Sequence, residues 1–373
     1  MKILLTLIFT LSLSAQSARF DSLVTSGIEQ IYNLKFNQAE KTFLLVQKDF
    51  PKNPAGKFFF AMIDWWRIMM DFEVEKYDDQ FYDKLDDVID MCDDILDKNP
   101  KNIDAVFFKG GALGFRGRLK AVREDWLDAA LDGKDALPLV YDAYKIDSTN
   151  IDIQFGLGIY NYYAEVIPNK YEFIKPFMYF FPKGNKSKGI KQLENTAMNG
   201  KYAKYEAQYF LMTLYFSFEE NSTLALKYAQ KLFNKFPDNP AFEKYIGRIY
   251  VKQNNYKKAS EIFSKMVEKH KHNKFGYNER ILREAYYYIG YYNYQNKNDR
   301  EAIKYFRECE RLSIEFDEGD TGFLVNSTLY LGMLYDRIGE RSKALKKYDE
   351  VLDMDEFRNS HERAEKYIAK PFR

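Results

Sequence analysis

Apolar residues recur at three- and four-residue intervals along most of the chain, a spacing that predicts helices with one buried face. The clearest stretch covers residues 326–356 and predicts two such helices in succession. The small and apolar positions of the first helix are Leu331, Gly332 and Tyr335, and those of the second are Ala344, Tyr348 and Val351. The stretch therefore predicts two short helices packed against each other.

A fixed spacing of small and aromatic residues occurs four times. In each copy a glycine is followed twelve residues later by an alanine, and four residues after that by an aromatic residue. The copies are Gly27, Ala39 and Phe43; Gly247, Ala259 and Phe263; Gly290, Ala302 and Phe306; and Gly332, Ala344 and Tyr348. Small residues let two helices approach closely, and the aromatic ring fills the space beside them. We predict that these twelve residues pack the helices of each pair together.

This spacing resembles the tetratricopeptide repeat family, whose pattern is L-G-x2-Y, then A-x3-F, then a proline. The matching residues are Leu331, Gly332 and Tyr335; Ile246, Gly247 and Tyr250; and Pro51, eight residues after Phe43. The resemblance implies an all-α fold, a right-handed solenoid of about eight stacked antiparallel helix pairs. It also implies a non-catalytic scaffold that binds a protein or peptide partner on its concave face, here of an exported bacterial type.

The chain departs from the family pattern in three respects. Thr328 stands where the family has a tryptophan, and Asn293 replaces the tyrosine that follows Gly290. The last three glycines are 43 and 42 residues apart, against a family period of about 34. We expect lengthened helices and the linkers 270–280 and 314–322 to accommodate the additional residues.

The first fifteen residues predict a signal peptide. Lys2 supplies the charged start, residues 3–13 form the apolar segment, and Ala15 is a small residue suited to cleavage. The apolar segment is shorter than the roughly 20 residues that span a bilayer, so an uncleaved membrane anchor is only the alternative. We predict export to the periplasm or outer cell envelope of a Gram-negative-type bacterium, with a single repeat domain over residues 16–373.

Composition and charge exclude several classes of function. Hydrophobic residues make up 46% of the chain, enough for a continuous core, and the net charge of +1 argues against a nucleic-acid binder. The acidic run over residues 71–97 lacks the glycine of a calcium loop and predicts a solvated helix face, as does the basic run over 227–274. Cys92 and Cys309 predict two small buried side chains.

No catalytic, metal or cofactor motif stands out, so we expect neither enzyme activity nor a cofactor. Gly110, Gly111, Gly114 and Gly117 lack the Lys-Ser or Lys-Thr of a phosphate loop and predict tight helix packing instead, with Arg116 and Arg118 as candidates for a groove wall. Ala136, Val140 and Ala143 predict the packing positions of the following helix. The three histidines, His270, His272 and His361, lack metal-binding companions.

An aromatic segment over residues 167–184 interrupts the fourth predicted repeat. Its aromatic residues are Tyr171, Phe173, Phe177, Tyr179, Phe180 and Phe181. One hypothesis is that the segment folds back to fill the solenoid's own concave side. The other is that its aromatics bind a partner or a membrane surface. The second hypothesis gives the alternative function: a carrier or membrane-peripheral protein that holds an apolar or lipid ligand through this segment.

Overall fold

The computed structural model describes residues 2–172, 175–178 and 181–373, without the side chains of residues 2–15, 177 and 178. Within these ranges the regular secondary structure is helical. The helices are α1 (Lys2–Tyr32), α2 (Phe36–Asp49), α3 (Ala55–Met70), α4 (Asp78–Leu96), α5 (Ile103–Val122), α6 (Trp126–Ile146), α7 (Ile153–Lys170), α8 (Lys175–Met178), α9 (Lys186–Asn199), α10 (Lys204–Ser217), α11 (Ser222–Lys235), α12 (Pro240–Lys252), α13 (Tyr256–Lys271), α14 (Glu279–Gln295), α15 (Asp299–Phe316), α16 (Gly322–Arg337), α17 (Arg341–Leu352) and α18 (Ser360–Ala369).

The chain divides into two compact units, residues 1–236 and residues 237–373, called unit 1 and unit 2 below. Unit 1 contains the helix pairs α1–α2, α3–α4, α5–α6, α7–α9 and α10–α11. Unit 2 contains the pairs α12–α13, α14–α15 and α16–α17, and α18 packs on the last of them. The predicted all-α fold of about eight helix pairs is confirmed. That residues 16–373 form a single domain stays a prediction.

A left-handed residue marks the turn inside six of the described pairs. It lies two residues before the second helix in each case: Leu34, Glu124, Glu220, Asn254, Lys297 and Gly339. Reversing the chain in so few residues requires a positive φ, which glycine and asparagine adopt at little steric cost and other residues adopt at about 1 kcal/mol. The turns therefore share one geometry even where their sequences differ.

The glycines and aromatic residues of the repeating spacing face each other within their pairs. A Cβ atom on Gly27 would lie 2.8 Å from Cε1 of Phe43, and one on Gly247 would lie 2.6 Å from Cζ of Phe263. The corresponding distances are 3.1 Å from Gly290 to Cδ1 of Phe306 and 2.5 Å from Gly332 to Cε1 of Tyr348. These rings are fully buried, as are Ala39, Ala259, Ala302 and Ala344.

The aromatic segment 167–184 connects α7 to α9. Helix α7 continues through Pro168 to Lys170, and the segment includes the four-residue helix α8. Tyr171 is exposed and Phe181 is half-buried. Phe173, Tyr179, Phe180 and the side chain of Phe177 lie outside the described residues.

Helix α1 begins at Lys2 and runs through the predicted cleavage position near Ala15 without a break. The side chains of the predicted signal peptide lie outside the described part of the chain. In that part, no helix combines the length and apolarity needed to cross a membrane.

Candidate functional site

Unit 1 contains a largely apolar cavity of about 630 Å³. The first helices of its five pairs (α1, α3, α5, α7 and α10) line this cavity, together with α6. The charged residues among the lining positions are Asp152, Arg118 and Glu206. A space of this size and character is typical of small-molecule sites, which range over about 300–1,000 Å³.

Hydrogen bonds join the first and the fifth helix pair of unit 1 beside the cavity. The Tyr32 hydroxyl donates to Glu206 at 2.7 Å, and the Tyr205 hydroxyl donates to Glu29 at 2.9 Å. The Tyr202 hydroxyl donates to Asp21 at 2.7 Å. Burial raises the pKa of Tyr32, Tyr202 and Tyr205, and the neighbouring carboxylates raise it further. These hydroxyls therefore stay protonated donors at neutral pH.

Glycine and alanine form one wall of the cavity. Gly110, Gly111, Gly114 and Gly117 lie on one face of α5, and Ala129, Ala130, Gly133 and Ala136 lie on one face of α6. A Cβ atom on Gly114 or Gly133 would have no neighbour within 4 Å. The cavity therefore borders two positions where the chain carries no side chain.

The turn geometry shows which side chain is missing. Nine residues after the left-handed residue, four of the described pairs carry the buried aromatic ring: Phe43, Phe263, Phe306 and Tyr348. In α10–α11 that position is Ala229, and in α5–α6 it is Gly133. Ala136 and Ala143 of α6 are buried, and Val140 packs beside Gly110 and Gly156, as predicted. Counted from Glu124, the alanine and ring positions of the repeat fall on Ala129 and Gly133, so the ring that would fill the space is absent.

Arg118 and Trp65 form the polar part of the cavity wall. The guanidinium carbon of Arg118 lies 4.5 Å from the Trp65 ring centroid and 4.4 Å from that of Phe210, so the cation is held between two aromatic faces. Arg118 donates to Glu206 at 2.9 Å, its one hydrogen bond among the described residues. Trp65 is fully buried, and its indole Nε1 has no hydrogen-bond partner in the described part of the chain.

Unit 2 contains a second candidate site, a groove of about 750 Å³ along the inner helices α12, α14, α16 and α18. Tyrosine dominates the groove, with Tyr287 and Tyr291 on α14 and Tyr330 on α16, and Asn326 lies one turn before Tyr330. Burial raises the pKa of Tyr330 to about 12, so its hydroxyl is a neutral hydrogen-bonding group at physiological pH. The groove combines flat aromatic surfaces with polar edges.

Two arginines at this groove have no carboxylate partner among the described residues. Arg363 lies with its guanidinium carbon 5.6 Å from the Tyr330 ring centroid, and its Nη2 contacts the Met333 sulfur at 3.2 Å. Arg358 lies 5.4 Å from the Phe357 ring centroid. A third lining arginine, Arg283, is paired with Asp317. The groove therefore presents uncompensated positive charge beside its tyrosines.

The structure also shows where other residues selected from the sequence lie. The glycine-rich segment of α5 is helical and forms no phosphate loop. Cys92 and Cys309 are buried, as predicted. The described residues contain no group of three His, Cys, Asp or Glu side chains arranged to hold a metal ion.

The predicted partner-binding aromatics are only partly described. Tyr171 is 40% exposed, and Phe181 contributes to the wall of the unit 1 cavity. Beside it, the Tyr160 hydroxyl donates to the carbonyl of Pro182. The described end of the segment is therefore attached to the cavity.

Residues 284–311, covering most of α14 and the first part of α15, match the model of the tetratricopeptide repeat family. The resemblance predicted from the sequence is confirmed there. No curated protein matches the sequence.

Similar solved structures include a human IFIT1 dimer with m7Gppp-AAAA, at 15% identity and a TM-score of 0.45, covering 86% of this chain and 68% of that chain. A tetratricopeptide repeat protein from Cytophaga hutchinsonii has 16% identity and a TM-score of 0.38, covering 79% of this chain and 96% of that chain. One from Parabacteroides merdae has 14% identity and a TM-score of 0.38, with the same shares covered.

Proposed function

We propose that this chain, which contains a tetratricopeptide repeat at residues 284–311, is an exported, non-catalytic scaffold that binds an acidic peptide segment of a partner protein in the groove of unit 2. The observation that carries the proposal is the pair of arginines, Arg358 and Arg363, that face the groove without a carboxylate partner among the described residues. Helical repeats of this family generally mediate protein interactions, which makes a protein partner the natural expectation.

The composition of the groove supports a peptide ligand. Tyrosine and arginine are enriched at binding hot spots because they combine a large apolar surface with hydrogen-bonding groups. Tyr287, Tyr291 and Tyr330 supply such surfaces on two neighbouring helices, and Asn326 supplies an amide that can pair with a peptide backbone. Guanidinium groups favour carboxylates because two parallel hydrogen bonds join the two planar groups.

The lining of the two sites favours unit 2 as the peptide site. The cavity of unit 1 is largely apolar, and its charged residues Arg118, Glu206 and Asp152 already have hydrogen-bond partners within the unit. A peptide backbone needs polar partners, and the groove along α12, α14, α16 and α18 supplies polar edges and two arginines without a carboxylate partner among the described residues. We therefore propose unit 2 as the site of the concave-face binding expected from the sequence.

Charge reversal tests the proposal. We expect Arg358→Glu combined with Arg363→Glu to abolish capture of the partner from envelope extracts of the source cells. The control is Lys304→Glu with Lys343→Glu, which makes the same charge change at exposed positions of the second helices α15 and α17. A photo-crosslinking residue at Asn326 should label the same partner, and an acidic peptide from that partner should compete. Equal capture by both double variants would refute the peptide site in unit 2.

Export is a separate part of the proposal. The charged start at Lys2, the apolar segment and the small residue at Ala15 support cleavage near that position. Cell fractionation with N-terminal sequencing of the purified protein tests it. A cytoplasmic protein that begins at Met1 would refute export and leave the groove proposal standing.

A carrier that holds an apolar ligand through residues 167–184 is the second candidate function. Its support is Phe181, which lies in the wall of the apolar cavity while Tyr171 next to α7 is exposed. Replacing Phe177, Phe180 and Phe181 together by serine tests this function. We expect loss of association with an apolar ligand or an envelope membrane at an unchanged melting temperature. A large fall in melting temperature would assign the segment to the core instead.

A further inference from the structure

We propose that the cavity of unit 1 binds an uncharged single-chain lipid, an acyl chain carrying an ester or amide group, with its carbonyl accepting hydrogen bonds from Trp65 and Arg118. This site is separate from the peptide groove of unit 2. It places the ligand against the glycine and alanine wall of α5 and α6.

The shape and surface of the cavity favour an acyl chain. Its wall carries no side chain at Gly114 and Gly133, where a Cβ atom would meet nothing within 4 Å. The lining also includes aromatic rings, among them Phe58 on α3 and Tyr163 on α7. A volume of about 630 Å³ lies within the range of sites that enclose one small molecule. A flexible chain fits a space bounded by flat rings and bare helix backbone.

Two unused donors indicate that the ligand carries a hydrogen-bond acceptor. Trp65 is fully buried, lines the cavity, and has no partner for its Nε1–H among the described residues. Buried donors are normally paired, so an orphaned indole N–H calls for an explanation. Arg118 stacks on the same indole at 4.5 Å and uses one of its five N–H groups, in the bond to Glu206. Both residues belong to the largely apolar lining of the cavity.

The electrostatics of the wall favour an uncharged acceptor over a carboxylate. Glu206 already neutralises Arg118, and both of its oxygens are occupied, one by Arg118 and one by Tyr32. Asp152, the other charged lining residue, accepts hydrogen bonds from the backbone of Lys201, Tyr202 and Ala203. A carboxylate ligand would bring another negative charge close to Glu206 in a medium of low dielectric constant. A carbonyl accepts the same hydrogen bonds without that repulsion.

The tryptophan fluorescence of the chain can report binding in this cavity. All three of its tryptophans, Trp65, Trp66 and Trp126, are among the lining residues. Bromine on a bound acyl chain therefore quenches the intrinsic tryptophan fluorescence of the full-length protein. We expect saturable quenching by dibrominated monostearoylglycerol, and binding at least about tenfold weaker for dibrominated stearate at pH 8. The absence of saturable quenching by the neutral lipid would refute the proposal, and tighter binding of stearate would overturn the choice of an uncharged ligand.

Variants connect the quenching to the proposed contacts. Gly133→Leu places a side chain in open space inside the cavity, and we expect it to weaken binding at least about tenfold with no loss of thermal stability. Trp65→Phe keeps the aromatic face under Arg118 and removes the donor, so it should weaken binding of the monoacylglycerol but not of a brominated alkane. The control is Leu131→Ala, an exposed apolar residue of the same helix outside the cavity. Unchanged affinity in both cavity variants would contradict the site.

Two further measurements distinguish lipid binding in the cavity from adsorption to a membrane and from binding in the groove of unit 2. Phosphatidylcholine vesicles with brominated chains test whether the lipid is reached on a membrane surface. Quenching by vesicles that free monoacylglycerol does not displace would mean membrane adsorption, and it would overturn the cavity site. The groove variant with Arg358→Glu and Arg363→Glu should bind the lipid as the wild type does. Loss of lipid binding in that variant would refute the independence of the two sites.

Discussion

Adding one methyl group to a helical glycine should have opposite effects at two positions of unit 1. Gly27 and Gly114 both lie in helices, α1 and α5. Replacing either by alanine gains about 1 kcal/mol of helix propensity. At Gly27 the new Cβ would lie 2.8 Å from Cε1 and Cε2 of Phe43, whereas at Gly114 it would meet no atom within 4 Å. The propensity gain is common to both variants, so the difference between them measures the steric contact alone.

The magnitude follows from how little the Phe43 ring can move. The ring is fully buried and stacks on Phe59 of α3, with ring centroids 5.6 Å apart. Overpacking a rigid site of this kind costs about 1–3 kcal/mol. We therefore expect Gly114→Ala to stabilise unit 1 by about 0.5–1 kcal/mol. Gly27→Ala should be less stable than Gly114→Ala by about 1–3 kcal/mol.

Urea unfolding followed by tryptophan fluorescence measures this difference for unit 1, because all three tryptophans belong to it. The slope of the unfolding free energy with urea should be the same in both variants, which shows that the denatured state is unchanged. If the two alanine variants agree within about 0.5 kcal/mol, the close contact between Gly27 and Phe43 does not limit packing, and the reasoning fails.

Three other predictions concern unit 2 and the cysteines. Gly339→Ala should lower the unfolding free energy by about 1 kcal/mol, because a residue with a Cβ atom adopts the left-handed φ of +84° at a steric cost that glycine does not have. An unchanged urea midpoint would contradict this. Burial raises the pKa of Glu284, but the charge and hydrogen bonds of Arg248 lower it by more, so the pKa in the folded protein is below its usual value. The ion pair between Glu284 and Arg248 therefore stabilises the fold above the unfolded pKa of about 4.3. This stabilisation is lost as the pH falls through the folded pKa. Glu284→Gln should therefore lower the unfolding free energy by about 3 kcal/mol at pH 7. Unfolding followed by near-ultraviolet circular dichroism should show a smaller difference between the variant and the wild type in acid. Burial raises the pKa of Cys92 and Cys309 to about 12, so a thiol reagent at pH 8 should label them only after unfolding in urea.

The local packing of the helix pairs was predictable because it depends on residues close in sequence. The glycine and aromatic positions of each pair are sixteen residues apart, and the contact between Gly332 and Tyr348 follows directly from that spacing. The helical reading of the glycine-rich segment in α5 rested on the same kind of short-range pattern.

The cavity was not predictable in the same way. The sequence pattern marks positions that carry an aromatic residue, whereas the cavity depends on one that does not. Gly133 stands at the ring position of α6, but that register is fixed only by the turn at Glu124, a left-handed residue with no sequence signature. Counting forward from a candidate turn would have found it. The aromatic composition of residues 167–184 drew the prediction there instead.

Sequence patterns could not predict the contacts between α1 and α10 for a different reason. Repeats of this family are expected to contact only their neighbours, so no repeat pattern relates Tyr32 to Glu206. Their hydrogen bond spans 174 residues. Tyrosine and glutamate are both common on helix surfaces, and nothing in either residue's surroundings identifies the other as its partner.

That same hydrogen bond sets an order of events during synthesis. A helix pair in an open array is complete once its neighbour has been made, but α1 must wait for α10. At about 5–20 residues per second, the 174 residues between Tyr32 and Glu206 take roughly 10–35 s to appear. During that interval Trp66 of α3 lacks Tyr209, the ring that packs on it from α10. This part of the apolar inner side of unit 1 therefore stays without its final contact until the fifth helix pair has been translated.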